Sequence, residues 1–150
     1  MSARRARRLA LQGLCCLDVQ GEKVRDLVAD FIHDSRETPQ TTALAHRMIE
    51  QAWADRPACD ELLARHARHW ELPRLALVDR NILRLAVSEL RRGPAPPKVA
   101  ISEALALARE FSSAESPRFV NGVLDAVAKE LSRDAGDASG EQEESRDEHR

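Results

Sequence analysis

Four arginines in the first eight residues, Arg4, Arg5, Arg7 and Arg8, are the side chains best suited to grip a ligand. A guanidinium holds phosphate in bidentate fashion and stacks on bases, which suits RNA. Basic residues at a helix N-terminus oppose the helix dipole, so the alternative to a ligand site is a solvated helix start. Three Phe, two Trp and no Tyr leave too few rings for a broad stacking platform, so phosphate contacts should dominate.

Other reactive residue types form no recognisable constellation. His66 and His69 are three apart and could share a helix face, but a metal site would need more ligands. His46 is the one plausible addition, and solvated or core-edge histidines are the preferred reading. Cys15, Cys16 and Cys59 are odd in number and two are adjacent, which is neither a disulfide framework nor metal spacing. A reduced, cytoplasmic setting fits them. There is no glycine loop for phosphate, no Walker lysine and no Cys-x-x-Cys. The carboxylates are scattered, with no apolar pocket evident to retune them. Binding is expected rather than catalysis, with no cofactor and no metal.

The net charge of −2 hides an asymmetry. Residues 134–150 carry seven acids against Arg146 and Arg150, a net of −5, which leaves +3 for residues 1–133. A mildly basic domain with a basic arm suggests an anionic partner, nucleic acid being the commonest. No stretch approaches the roughly 18 uninterrupted apolar residues that cross a membrane. The N-terminus lacks a signal-peptide pattern, because Gln12 and Asp18 interrupt the apolar run.

The elements that position the arginines read as helices throughout, giving an all-α class of about seven helices in one domain over 1–133. The organising stretch is residues 78–90, VDRNILRLAVSEL. Its apolar arc is wide enough for a mostly buried helix, with Asp79, Arg80 and Arg84 placed to pair with neighbours. The first helix, 3–19, sets Ala6, Leu9, Ala10, Gly13, Leu14 and Leu17 inward, with Gly13 allowing a close helix approach. Leu11 and Cys15 fall on or beside its polar side, a candidate protein-docking patch.

A second helix over 23–33 should bury Val24, Leu27, Val28, Phe31 and Ile32. Thr41 or Thr42 should cap a third, which Arg56-Pro57 ends. A fourth spans 57–70, with Leu72-Pro73 following. Gly93 should cap the organising helix. The sixth covers 98–113, and Glu103 within it invites an ion pair with Arg84 or Arg80. Ser116-Pro117 should start the seventh, an N-cap followed by proline. Within the seventh, Gly122 should pack closely on the organising helix with Asn121 hydrogen-bonded. After Arg133 the apolar residues stop, and 134–150 should be a disordered acidic tail. That tail is either inert and solubilising or folds back on the arginine arm to compete with RNA.

Several stretches together resemble the NusB family of bacterial transcription antitermination factors. They are Arg4-Arg5-Ala6-Arg7-Arg8 with Ala10-Leu11-Gln12-Gly13-Leu14, then VDRNILRLAVSEL, then Pro97-Lys98-Val99-Ala100-Ile101-Ser102-Glu103-Ala104, and finally Phe119-Val120-Asn121-Gly122-Val123-Leu124-Asp125. They stand in family order over about residues 3–131. The resemblance implies an all-helical fold of two small bundles. It also implies binding of boxA-type single-stranded RNA together with NusE, a small-subunit ribosomal protein. The complex helps RNA polymerase, with other Nus factors, to read through terminators, chiefly in ribosomal RNA operons. Arg4, Arg5, Arg7 and Arg8 match the RNA-binding arginine motif. Glu115 and Arg118 match a region bordering the RNA site, and Lys98 a basic position near it. Cys15 and Asp79 match the NusE-facing surface, with Leu11 beside Cys15. Cys15 and Ser88 stand where relatives often carry aromatics. The Leu11/Cys15 patch would serve a homodimer equally well, and a helical protein–protein adaptor that binds no RNA is the alternative function.

Overall fold

A computed structural model describes residues 2–67 and 75–147, with side chains described as far as 136. Seven α-helices account for the described chain: α1 (Ala3–Gln20), α2 (Arg25–His33), α3 (Pro39–Ala54), α4 (Arg56–His66), α5 (Leu77–Arg92), α6 (Pro97–Phe111) and α7 (Ser116–Asp147). A 3-10 turn, Glu22–Val24, joins α1 to α2. No strand occurs among the described residues.

The first three helices form one small bundle. Gly21, at φ 79°, turns the chain after α1, a conformation that costs glycine little. Gly13 faces α3 so closely that a Cβ there would lie 2.6 Å from Ile49 Cδ1 and 3.0 Å from Val28 Cγ1. Ser2 N–H donates to Thr41 Oγ1 at 3.1 Å near the starts of α1 and α3, and Gly13 meets Ile49 further along both, so the two helices run in the same sense and pack directly, with α2 beside them. Helix α3 begins one turn earlier than the threonine pattern suggests. Thr38 is its N-cap, accepting from Thr41 N–H at 3.2 Å, and Pro39 opens the helix. Thr41 is instead buried. In α2 only Val28 and Ile32 reach the core, while Leu27 is 67% and Phe31 50% exposed. A helix packed on one side by α1 and α3 buries a narrow stripe, and Leu27 and Phe31 fall outside it.

The second bundle is α4 to α7, and α5 belongs to both. It packs on α1 and α3 as well as on α4, α6 and α7. The nine residues from Asn81 to Glu89 are all buried, so every face of this helix meets protein. Hence even its polar residues pair internally. Arg84 makes a bidentate pair with Asp60 on α4 at 2.8 and 2.9 Å, and Asp18 on α1 takes Arg80 and Asn81. Burial works against the Asp18 carboxylate, but hydrogen bonds from Asn81 and Arg80 outweigh it and hold its pKa below the usual value. With Arg7 opposite Glu89 and Asp18 opposite Arg80, α5 runs antiparallel to α1. Gly93 at φ 70° caps α5, its N–H bonded to the Glu89 carbonyl.

Helix α4 ends at His66, where the pattern runs on to residue 70; His69, Trp70 and Leu72-Pro73 lie outside the described residues. Helix α7 begins at Ser116, and Val120, Val123, Leu124 and Val127 fill the core beneath it. The helical backbone continues past Leu131, the last apolar residue packed on the core, to Asp147.

Candidate nucleic-acid interface

Helix α1 carries the arginines because Ser2 fixes where it starts. Its hydroxyl accepts from Arg5 N–H at 3.2 Å while its own N–H is tied to α3, so the first two turns are anchored. Four cations there would strain the dipole, and each is answered by a glutamate from elsewhere in the chain. Arg4 takes Glu103 of α6 through two bonds of 3.1 Å. Arg5 lies 3.5 Å from Glu37 in the α2–α3 loop, and Arg8 lies 2.9 Å from Glu110 of α6. Arg7 takes Glu89 of α5 at 2.9 and 3.3 Å.

The four are not equivalent. The side chains of Arg4, Arg5 and Arg8 are 59, 61 and 43% exposed, whereas that of Arg7 is 10% exposed. Arg7 therefore departs from the expected row. It points inward as a bolt between α1 and α5, because it lies on the side of the helix that meets Glu89. Glu103 also departs from expectation. It meets Arg4 rather than Arg84 or Arg80, which are already committed to Asp60 and Asp18. The Arg4 guanidinium holds the Glu103 carboxyl below the usual range by hydrogen bonding.

Between α1 and α6 lies an open groove of about 370 Å³ lined by Arg4, Arg8, Glu103, Leu107, Arg109 and Glu110. Arg109, exposed, is a third cation in this groove that the sequence pattern did not single out. Its only signal was its place in the last turn of α6. Lys98 stands exposed in the first turn of the same helix and lines neither this groove nor the next.

A larger groove, about 1040 Å³, opens between the end of α4, the start of α5, the α6–α7 junction and the first turns of α7. It brings together three of the residues singled out above, Asp79, Glu115 and Arg118. Asp79 accepts from Ser112 Oγ at 2.6 Å and from Ser116 Oγ, tying α5 to the α6–α7 junction. The Ser116 hydroxyl is thus spent on Asp79 rather than on capping its own helix. Glu115 and Arg118 are exposed on the rim. Gly122 does not pack against α5: it is exposed, and a Cβ there would meet nothing within 4 Å. Asn121 is likewise exposed. The reason is angular, since Val120, Val123 and Leu124 take the buried side of α7.

The expected Leu11/Cys15 patch is not at the surface as a pair. Leu11 is 2% exposed and belongs to the core, because α1 is covered by α3 and α5 over a wider arc than one amphipathic stripe. Cys15 is half-buried beside Asn81, and burial pushes its thiol up to about 11. Cys16 is exposed and Cys59 buried. His66 sits 3.2 Å from Glu130 of α7, and no group of three or more metal-binding side chains occurs among the described residues. No helix among them is long and apolar enough to cross a membrane.

A fold built of helices throughout the described residues, with an arginine row facing solvent and a second groove at a helix junction, defines a class of binding module. Comparison with known proteins narrows it. The sequence model of the NusB family matches residues 4–129, and the chain belongs to that family. Transcription antitermination protein NusB of Solibacter usitatus is 44% identical over 132 residues, 87% of this chain and 90% of the relative. That of Symbiobacterium thermophilum is 40% identical over 147 residues, covering 91% and 95%. Among solved structures, T. maritima NusB superposes with TM-score 0.79 at 32% identity, covering 87% of this chain and 92% of that one. A chain in the crystal structure of antitermination factors NusB and NusE in complex with double-stranded RNA gives TM-score 0.74 at 26% identity, covering 84% and 95%.

Proposed function

We propose that this protein is a non-enzymatic RNA-binding adaptor of transcription antitermination. In this reading it takes boxA-type single-stranded RNA together with NusE and promotes readthrough by RNA polymerase with other Nus factors, chiefly in ribosomal RNA operons. The observation that carries the proposal is the outward row of Arg4, Arg5 and Arg8 on an anchored helix start. Arg109 extends that row, and Lys98 in the first turn of α6, with Glu115 and Arg118 on the rim of the second groove, adds contacts to RNA outside it. Arg7 acts from behind, by fixing α1 on α5. Cys15 and Asp79 face NusE, the groove at the α5–α7 junction offering it a seat, and Leu11 supports that face from within. Residues 1–133 are the working domain and 134–150 an acidic appendage, in a cytoplasmic protein.

Phosphate contacts should make RNA affinity modest alone and salt-sensitive, with NusE raising it by coupling. The ion pairing of all four arginines favours a second reading, a protein–protein adaptor that binds no RNA. Fluorescence anisotropy of a boxA-type RNA and a scrambled control, with and without NusE across a salt series, separates them. Selective binding that tightens with NusE is expected. Equal binding of both RNAs leaves a generic basic surface, and no binding even with NusE overturns the RNA reading. Arg5→Glu with Arg8→Glu should abolish the selective binding, which the adaptor reading predicts to be absent from the start.

A further inference from the structure

We infer that Glu103 and Glu110 of α6 are counter-carboxylates that RNA phosphates must displace, so that they set the affinity, selectivity and salt response of the arginine face. This rests on the RNA-binding reading above. Glu103 grips Arg4 through two parallel bonds of 3.1 Å, the fork geometry a phosphate itself uses on guanidinium. Glu110 takes Arg8 Nε at 2.9 Å. Glu103 therefore occupies the Arg4 fork that a phosphate would use, and Glu110 occupies one donor, Nε, of Arg8.

The burial pattern shows which member moves. Glu103 is 18% exposed against 59% for Arg4, so the carboxylate is fixed in the wall and the guanidinium is the solvent-side partner free to swing. Arg8 and Glu110 are 43 and 42% exposed, a pair accessible on both sides. Exposed pairs of this kind are weak enough to exchange. The buried Arg7–Glu89 pair shows what a closed one looks like. With Arg109, the groove lining carries three cations against two anions, nearly neutral toward a passing polyanion. A ligand that places several phosphates at once can outcompete both glutamates, whereas a single misplaced phosphate cannot.

Salt dependence gives a signature. When a phosphate replaces Glu103 or Glu110, the freed carboxylate recruits a cation, which cancels the one released from the RNA. Removing the carboxylates should therefore tighten binding and also steepen the salt dependence. The test uses the full chain with Glu103→Gln and Glu110→Gln, and anisotropy of the boxA-type and scrambled RNAs over a salt series. Glu50→Gln with Glu61→Gln, on exposed pairs with Arg25 and Arg65, matches the charge change away from the groove.

The E103Q/E110Q protein should bind both RNAs roughly 2- to 25-fold tighter at low salt, each exposed pair being worth up to about fivefold. Its slope should steepen by up to about 1.4, at about 0.7 per arginine for single strands. The preference for the boxA-type RNA should narrow. Glu110→Gln alone, at a half-exposed site on the surface of α6, should give part of both effects even if Glu103→Gln perturbs folding. Affinity and slope equal to the charge-matched control would overturn the inference while leaving RNA binding intact. Failure of the wild-type and variant proteins to bind either RNA would instead bring down the RNA reading, and this inference with it.

Discussion

Cutting the Arg7–Glu89 pair tests whether the arginine row is divided as described. Both side chains are about nine-tenths buried, at 10 and 9% exposure, and they share bonds of 2.9 and 3.3 Å between antiparallel helices. Removing one partner strands a buried charge, which typically costs about 3–5 kcal/mol. Arg7→Ala and Glu89→Ala should each lose stability of that order. At a urea slope of about 2 kcal/mol per molar, the midpoint should fall by about 1.5–2.5 M. Replacing both by apolar residues of similar volume, Arg7→Met with Glu89→Leu, leaves no orphan and should restore most of the loss. Urea melts of the four proteins measure this, and anisotropy with the boxA-type RNA adds the functional half. The Met/Leu protein should keep its RNA affinity within about threefold, because Arg7 does not face solvent. Two results would refute the reasoning. Single variants costing under about 1 kcal/mol would mean the pair is solvated after all. An RNA affinity lost in the Met/Leu protein as severely as in Arg5→Glu would mean that Arg7 turns outward to the ligand.

Three further outcomes follow from particular contacts. Asp79→Ala leaves the hydroxyls of Ser112 and buried Ser116 without their acceptor, so thermal unfolding should show a loss of about 1–3 kcal/mol; Ser112→Ala in the same background should add almost nothing. The Asp18 and Asp55 carboxyls are held below their usual value of 3.8, Asp55 chiefly by its bonds to Arg92. They therefore contribute stability that is full above about pH 4 and drains away as pH falls through their folded values. Urea midpoints from pH 7 to 3 should drop at the acid end, and Asp18→Asn should flatten that drop; an equal drop in the variant would remove Asp18 as its cause. Finally, Gly13→Leu should cost about 1–3 kcal/mol or more by driving into Ile49 and Val28, whereas Gly122→Ala, meeting nothing, should gain about 0.5–1 kcal/mol in helix propensity. Calorimetry showing the two substitutions alike would contradict the packing assigned to both glycines.

Helical class, the central helix and the family were determined by the sequence alone, because they rest on local periodicity and on runs of adjacent residues. The apolar arc of residues 78–90 is a property of one helix, and its width already requires neighbours on all sides. Gly93 was legible for the same reason, ending a helix within its own turn, whereas Gly13 showed only as a gap on the apolar face whose occupants, Ile49 and Val28, came from other helices. Tertiary structure decided everything that depends on which faces meet. Arg4 and Arg7 are chemically identical and three residues apart, yet one faces a groove and the other is sealed against Glu89. Only the placement of α5 and α6 around α1 separates them. The same holds for Leu11, covered because two helices widen the buried arc of α1, and for Leu27 and Phe31, exposed because α2 lies at the edge. Glu103 looked suited to Arg84 until the packing gave Arg84 to Asp60 and left Glu103 opposite Arg4. Charge partners separated by 82 to 102 positions leave no trace in local spacing. A periodic pattern fixes the angle of a side chain about its own axis, and only the neighbouring axes determine what stands at that angle.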